Sequence, residues 1–468
     1  VFETADLVKF AKYSTLINEN DRNLVSAIDF INSTKTEEIV EEHKEEEQLT
    51  EEQKQTNVTI KALKVLTYIA AFASAIIIVF LVFGQGLGMA QTPLVGQAFA
   101  RKETKRVASI FQNAILQNIF IGIFIVLMLM LMLPFLHYFG QEEEVIRYAK
   151  PYFIATALSL LPAQIFLAFR HFMEGVGNTK VTMIIIISAN ILNIILNYIF
   201  IFGKLGLPAM GAFGAGLSTL VARTLMPIAY VVFILSNKKY RRYTYFFKKE
   251  NLKLYMQKNI LRLGAPIAVQ QTLECFSFSM VTIMMGWFSA VVLAAYQIVT
   301  TFFTMTFQIS CGVASATTIL VSHSYGRKDY NAISEHSKTG VMLSIIAVGF
   351  FGMLFILIPD FITSMFTDDV EVIKQAAPLF LIAGIFQVID GTQVTLLGAL
   401  RGMNDVNKPM KYSLFGYILI ALPLAYVLGF IFNLGPCGTF SGIAIGLLVA
   451  ALLYKKRLQT IIKIKKNS

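Results

Sequence analysis

The sequence predicts an all-α polytopic membrane protein, two parallel-repeat helical bundles with about 11 transmembrane helices, and three observations carry that prediction. Of its 468 residues 56% are hydrophobic and only 15% charged, with a mean hydropathy of +0.63; a soluble chain has roughly a quarter of its residues charged. From Val65 onward, apolar runs recur at the roughly 20-residue length that crosses a hydrocarbon core. The chain also repeats itself: GLGMAQTPLVGQAFARKE at 86–103 lies without a gap over GVASATTILVSHSYGRKD at 312–329, an offset of 226.

Residues 1–64 form an acidic, polar tail with one modest apolar helix candidate at 7–30 and no signal-peptide core. Its first residue is Val rather than Met, so a fragment, a processed form or an imperfect gene model is expected. A first lobe, 65–236, follows with five spans at 65–90, 108–136, 150–171, 180–203 and 211–236. A basic linker occupies 237–257. The second lobe, 258–468, has six spans at 258–287, 290–322, 338–366, 375–400, 411–433 and 438–454, then a basic tail.

The loops alternate in charge. Arg101, Lys102, Lys105 and Arg106, the stretch 238–258, Arg327 with Lys328, Lys408 with Lys411, and the tail from Lys455 fall on one side. Glu142, Glu143 and Glu144, the turn 202–210, Asp368, Asp369 and Glu371, and 433–436 fall on the other. Positive loops mark the cytoplasmic face, which places the C-terminus there and the tail 1–64 outside. The same pattern accounts for the +11 net charge without nucleic acid.

A second repeated block lies at offset 227, where the segment 151–175 covers 378–402, and Gly211 and Gly435 open matching spans. Two halves of equal orientation are the architecture of a secondary transporter. The halves are unequal, because the counterpart of 258–287 would be 32–61, a stretch too charged to cross a bilayer.

Nothing indicates an enzyme. Cys275, Cys311 and Cys437 lie far apart and read as packing residues. The five histidines, His43, His137, His171, His323 and His336, lack metal-ligand spacing, and no cofactor motif is present.

An ionisable group at membrane depth costs at least ~2.5 kcal/mol by insertion scales, so each needs a partner, water or a function. After the tail, Glu274 and Asp390 are the acids well inside the predicted spans. Their first-half counterparts by offset are Gln48 and Ala163. Two carboxylates facing one cavity can hold a sodium ion, which makes both its metal-site candidates, or share protons. Alternatively each only hydrogen-bonds a neighbour such as Gln270, Gln271 or Gln387. Asn190, Asn193 and Asn197 share one helix face, either lining a polar cavity or joining helices. Pro162, Pro227, Pro266 and Pro423 predict kinks usable in rocking motions. A minority of the 39 Phe and 18 Met can offer an adaptable surface to drug-like cations.

TPLVGQAF with its ARKE turn, MEGVGNTK, NILNIILNYIFIFG, GAFGAGLSTLVAR, LRLGAPIAVQQTLE, LAAYQI and FQVIDGTQVTLLGALRGMND together resemble the multidrug and toxic compound extrusion (MATE) transporters, from about residue 68 to 459. The spacing of Pro266 to Glu274, the FQVIDGTQ segment and Asn197 are similar to the NorM-like branch. The resemblance implies antiport across the bacterial inner membrane by a monomer, sodium ions or protons entering as organic cations leave. It implies cation coupling at Glu274 and Asp390. Where that branch commonly has Tyr, this chain has Phe386, which removes a hydroxyl ligand. The family's twelve helices imply that the first is absent here, so impaired activity is expected unless that helix is supplied by another polypeptide or the gene model is wrong. The alternatives are a lipid-linked saccharide flippase, which would want more intramembrane cations than Arg223, and a truncated, non-transporting membrane protein.

Overall fold

The computed structural model describes residues 77–135 and 143–467, and every regular element among them is helical. Among the described residues, ten helices are long and apolar enough to cross a membrane: α1 Ile77–Ala100, α2 Thr104–Phe135, α3 Ala149–Gly175, α4 Thr179–Phe202, α5 Gly211–Ser236, α7 Ala290–Arg327, α8 Tyr330–Leu357, α9 Val370–Gly402, α10 Asn407–Ile431 and α11 Gly435–Lys466. Between α5 and α7 runs α6, Leu254–Phe288, whose 35 residues are long enough to span. Lys258, Arg262, Gln270, Gln271 and Glu274 dilute its apolar content. The expected tail 1–64, Gln48, His43 and His137 lie outside the described residues.

Several helices overrun the expected spans on the basic-loop side. There α3 continues to Gly175, α7 to Arg327 and α9 to Gly402. Helical hydrogen bonding need not stop where the hydrocarbon does, and charged side chains past that level reach water. The repeat is visible in the turns that end these helices. Lys102 (φ +60°) and Lys328 (φ +61°) are both left-handed, and so are Gly177 (φ +82°) and Asn404 (φ +61°). Their separations match the offsets 226 and 227 read from the sequence.

The described chain divides into two compact units. One holds the described residues up to Gly84 with Asn118–Phe169 and Lys180–Lys238; the other holds Gln85–Gln117, Arg170–Thr179 and everything from Lys239 on. The first unit packs Ile77, Leu81, Ile125, Leu129, Phe153 and Leu160 into one buried cluster. In it α3 breaks at Ser159, three residues before Pro162. The α4 helix leaves Met183, Ile184, Ile187, Ile191 and Ile195 exposed. A continuous apolar face of this size belongs against lipid.

In the second unit α9 runs between α7, α8 and α11. Glycines every seventh residue of α9 put one bare face toward its neighbours. A Cβ on Gly384 would lie 2.6 Å from the Gly352 carbonyl oxygen, one on Gly391 2.8 Å from Ser310 Oγ and Ser344 Oγ, and one on Gly398 2.6 Å from the Ala314 carbonyl oxygen. Where lipid is as apolar as leucine, such close backbone approach is the main source of helix association. The α10 helix widens into π-helical turns at Leu414–Ala421 and Val427–Ile431, on either side of Pro423, which has no N–H to donate.

Candidate functional site

Both predicted coupling acids fall in the second unit, on α6 and α9. Asp390 is fully buried, and Glu274 is half-buried and within its electrostatic reach. Around Asp390, one α9 turn in each direction, sit two buried amides. Gln387 donates through Nε2 to the Phe303 carbonyl (3.2 Å) and to Thr306 Oγ1, while Gln393 donates to the Tyr417 hydroxyl (2.5 Å). Their donors are used, but their acceptors are not. Asp390 Oδ1, Gln387 Oε1 and Gln393 Oε1 are buried and have no hydrogen-bond partner among the described residues. Three oxygen acceptors left over in one helical stretch could take a cation or a hydrogen-bond donor, because orphaned buried acceptors are costly.

Phe386 is fully buried among Phe303, Phe278 and Phe440, with ring centroids at 4.8, 6.3 and 5.5 Å. The position is an aromatic wall beside the acid. On α6, Gln270 accepts from the Arg401 guanidinium at 3.3 Å, while Gln270 Nε2 and Gln271 Oε1 have no hydrogen-bond partner among the described residues. Asn193 and Asn197 lie in the other unit. Asn197 donates to Asn193 (3.0 Å) and accepts from Ser218 of α5, an interhelical contact; Asn190 lies half-buried one turn before Asn193.

Two charged groups were missed because the helices run further than the apolar runs do. Arg401 sits at the end of α9, one residue past the predicted span, within electrostatic reach of Glu274. Glu174 near the end of α3 is a third buried acid, bound by Arg170 Nε at 2.7 Å and lying 3.4 Å from both His171 Nδ1 and Thr92 Oγ1. Its signal was the i, i+4 spacing of Arg170 and Glu174 on a helix. Arg223, the intramembrane cation expected from sequence, donates to Ser159 Oγ at 2.8 Å.

Still within the second unit, the basic-loop ends of α1 and α3 join those of α7 and α9 by contacts that mirror one another. Gln97 Nε2 donates to the Gly402 carbonyl at 2.9 Å, and His323 Nε2 donates to the Gly175 carbonyl at 2.8 Å. Gln97 and His323 are repeat equivalents at offset 226, as are Gly175 and Gly402 at offset 227. Between these two bonds, equivalent residues meet each other. A Cβ on Gly96 would overlap Ser322 Oγ, and one on Gly326 would lie 3.1 Å from Ala100 Cβ. A residue that touches its own equivalent lies on the pseudo-two-fold axis, so this seam is isologous. Asn404 Nδ2 adds a bond to Gln97 Oε1 (3.0 Å), and Arg101 Nε one to the Gly326 carbonyl (3.0 Å). Arg401 reaches the same seam through Met89 Sδ at 3.7 Å.

The MatE family's sequence model matches residues 66–199 and 266–427. A probable multidrug resistance protein NorM of Rhodopseudomonas palustris is 31% identical over 391 residues, 82% of each chain. One of Halalkalibacterium halodurans is 29% identical over 375 residues, 80% of this chain and 82% of that one. Among solved structures, a MATE crystallised in the straight conformation shares the fold, with a TM-score of 0.79 over 86% of this chain and 89% of that one at 17% identity.

Proposed function

The chain belongs to the MatE family, and from that premise we propose that it is a multidrug efflux transporter that exports organic cations across a bacterial cytoplasmic membrane in exchange for inward-moving sodium ions or protons. One observation supports cation coupling above the others. Asp390, with Glu274 in electrostatic reach, lies between two amides whose oxygens are unsatisfied. A hard cation takes oxygen ligands, and a proton turns an acceptor into a donor, so either would complete the set.

Arg401 is the positioning residue that ties these acids to the seam. It is drawn to Glu274 while bonding Gln270 and Met89. Charge arriving on the acids weakens that attraction, which is a differential interaction of the kind that shifts a two-state equilibrium. In this reading the basic-loop side is cytoplasmic, the C-terminus lies there, and the protein works as a monomer. The Gln97 and His323 bonds hold the cytoplasmic route shut and must break for it to open.

Ethidium efflux from proteoliposomes carrying an imposed sodium or proton gradient tests the proposal. Efflux is expected with one of the gradients and absent without either. Equal efflux with and without gradients contradicts coupled antiport.

A further inference from the structure

Beside the seam lies a cavity of about 490 Å³ that the export reading does not use. Its wall comes from three parts of the chain: Lys102 and the apolar Phe99 and Val107 from the first half, Arg242 and Tyr243 from the linker, and Arg327 with His323 from the second half. Lys102, Arg242 and Arg327 are exposed cations, and among the described residues none of them forms an ion pair. The acid on the wall, Glu103, is taken by Arg106 at 3.2 Å. Arg242 is braced in place by the buried Tyr243, its Nη2 donating to the hydroxyl at 2.9 Å and its guanidinium 4.9 Å from the ring. The cavity opens at the level where α1 and α7 end and α2 begins.

Three like charges around one concavity repel each other unless an anion occupies it, and the apolar Phe99 on the same wall suits the first methylenes of an acyl chain. We propose that this cavity binds the phosphate of an acidic phospholipid headgroup. The bound phosphate bridges Lys102 of the first half to Arg327 of the second across the seam, so it favours the arrangement in which the Gln97 and His323 bonds are made. The cavity holds anionic lipid on the face assigned to the cytoplasm and so rests on that orientation. Binding itself is read without transport, so its failure and the failure of the export reading are separate results.

The test is lipid binding to the purified full chain in detergent, followed by native mass spectrometry and by the shift in thermal unfolding midpoint. Phosphatidylglycerol, phosphatidylcholine and inorganic phosphate are each titrated. Phosphatidylglycerol is expected to bind and raise the midpoint. Lys102→Gln with Arg327→Gln should weaken that binding roughly 30-fold, the worth of two juxtamembrane basic residues. Lys456→Gln with Lys463→Gln removes the same charge from exposed positions on α11 and should leave it unchanged. The lipid-free midpoint of each variant reports whether it folds. Equal loss in both double variants means diffuse surface attraction and overturns the site. Inorganic phosphate matching the lipid overturns the lipid assignment, and phosphatidylcholine binding equally well overturns the need for an anion.

Discussion

Removing the two reciprocal bonds of the seam should open it, by an amount that follows from what each side chain holds. Gln97→Ala deletes the bond to the Gly402 carbonyl and the one received from Asn404, and His323→Ala deletes the bond to the Gly175 carbonyl. At about 1 kcal/mol for each net hydrogen bond, the double variant loses about 3 kcal/mol from the closed arrangement. That shifts the closed-to-open ratio by about 100-fold. The assay is thiol labelling of Ser322→Cys, a buried position facing Gly96 across the axis, after Cys275, Cys311 and Cys437 have been replaced. A membrane-impermeant maleimide applied from the basic-loop side should react about 100-fold faster in the double variant, with each single variant between. A rate changed less than twofold would refute the reasoning, because the mirrored bonds would then not hold the seam.

The remaining predictions concern packing and the acid's surroundings. Gly384→Ala sets a methyl 2.6 Å from the Gly352 carbonyl oxygen and should cost roughly 1–3 kcal/mol in stability, whereas Gly349→Ala on α8, whose nearest neighbour is Val388 at 3.9 Å, should cost nothing measurable; thermal unfolding in detergent compares them. Phe386→Tyr places a hydroxyl in a fully buried aromatic wall. Without sodium it should cost about 1–3 kcal/mol of stability, seen as a lowered unfolding midpoint, and a midpoint restored by added sodium would show the hydroxyl recruited as a ligand.

Legibility differed between the fold and the site for physical reasons. Membrane helices announce themselves through apolar runs, and the loops near Arg101, Lys328 and Lys408 that share a charge sign do come together, as the bonds from Arg101 to Gly326 and from Gln97 to Gly402 show. Hydropathy stops where the hydrocarbon stops, so Glu174 and Arg401 fell outside the predicted spans although their helices continue. The repeat identified Gln97 and His323 as equivalents, yet equivalence does not say that two copies touch. That depends on how closely backbones approach at Gly96 and Gly326, which is a three-dimensional property. Asp390 stands out in the sequence by its cost at membrane depth. The unsatisfied oxygens of Gln387 and Gln393 do not, because an amide in a sequence does not reveal which of its ends is used.

Uphill export and passive exchange separate the central claim from simple loss of folding. Proteoliposomes carrying Glu274→Gln or Asp390→Asn should fail to concentrate ethidium against its gradient under an imposed sodium or proton gradient, while equilibrium exchange of ethidium across the same vesicles continues. Gradient-driven accumulation at the unmodified rate in both variants would contradict the assignment of cation coupling to these two carboxylates.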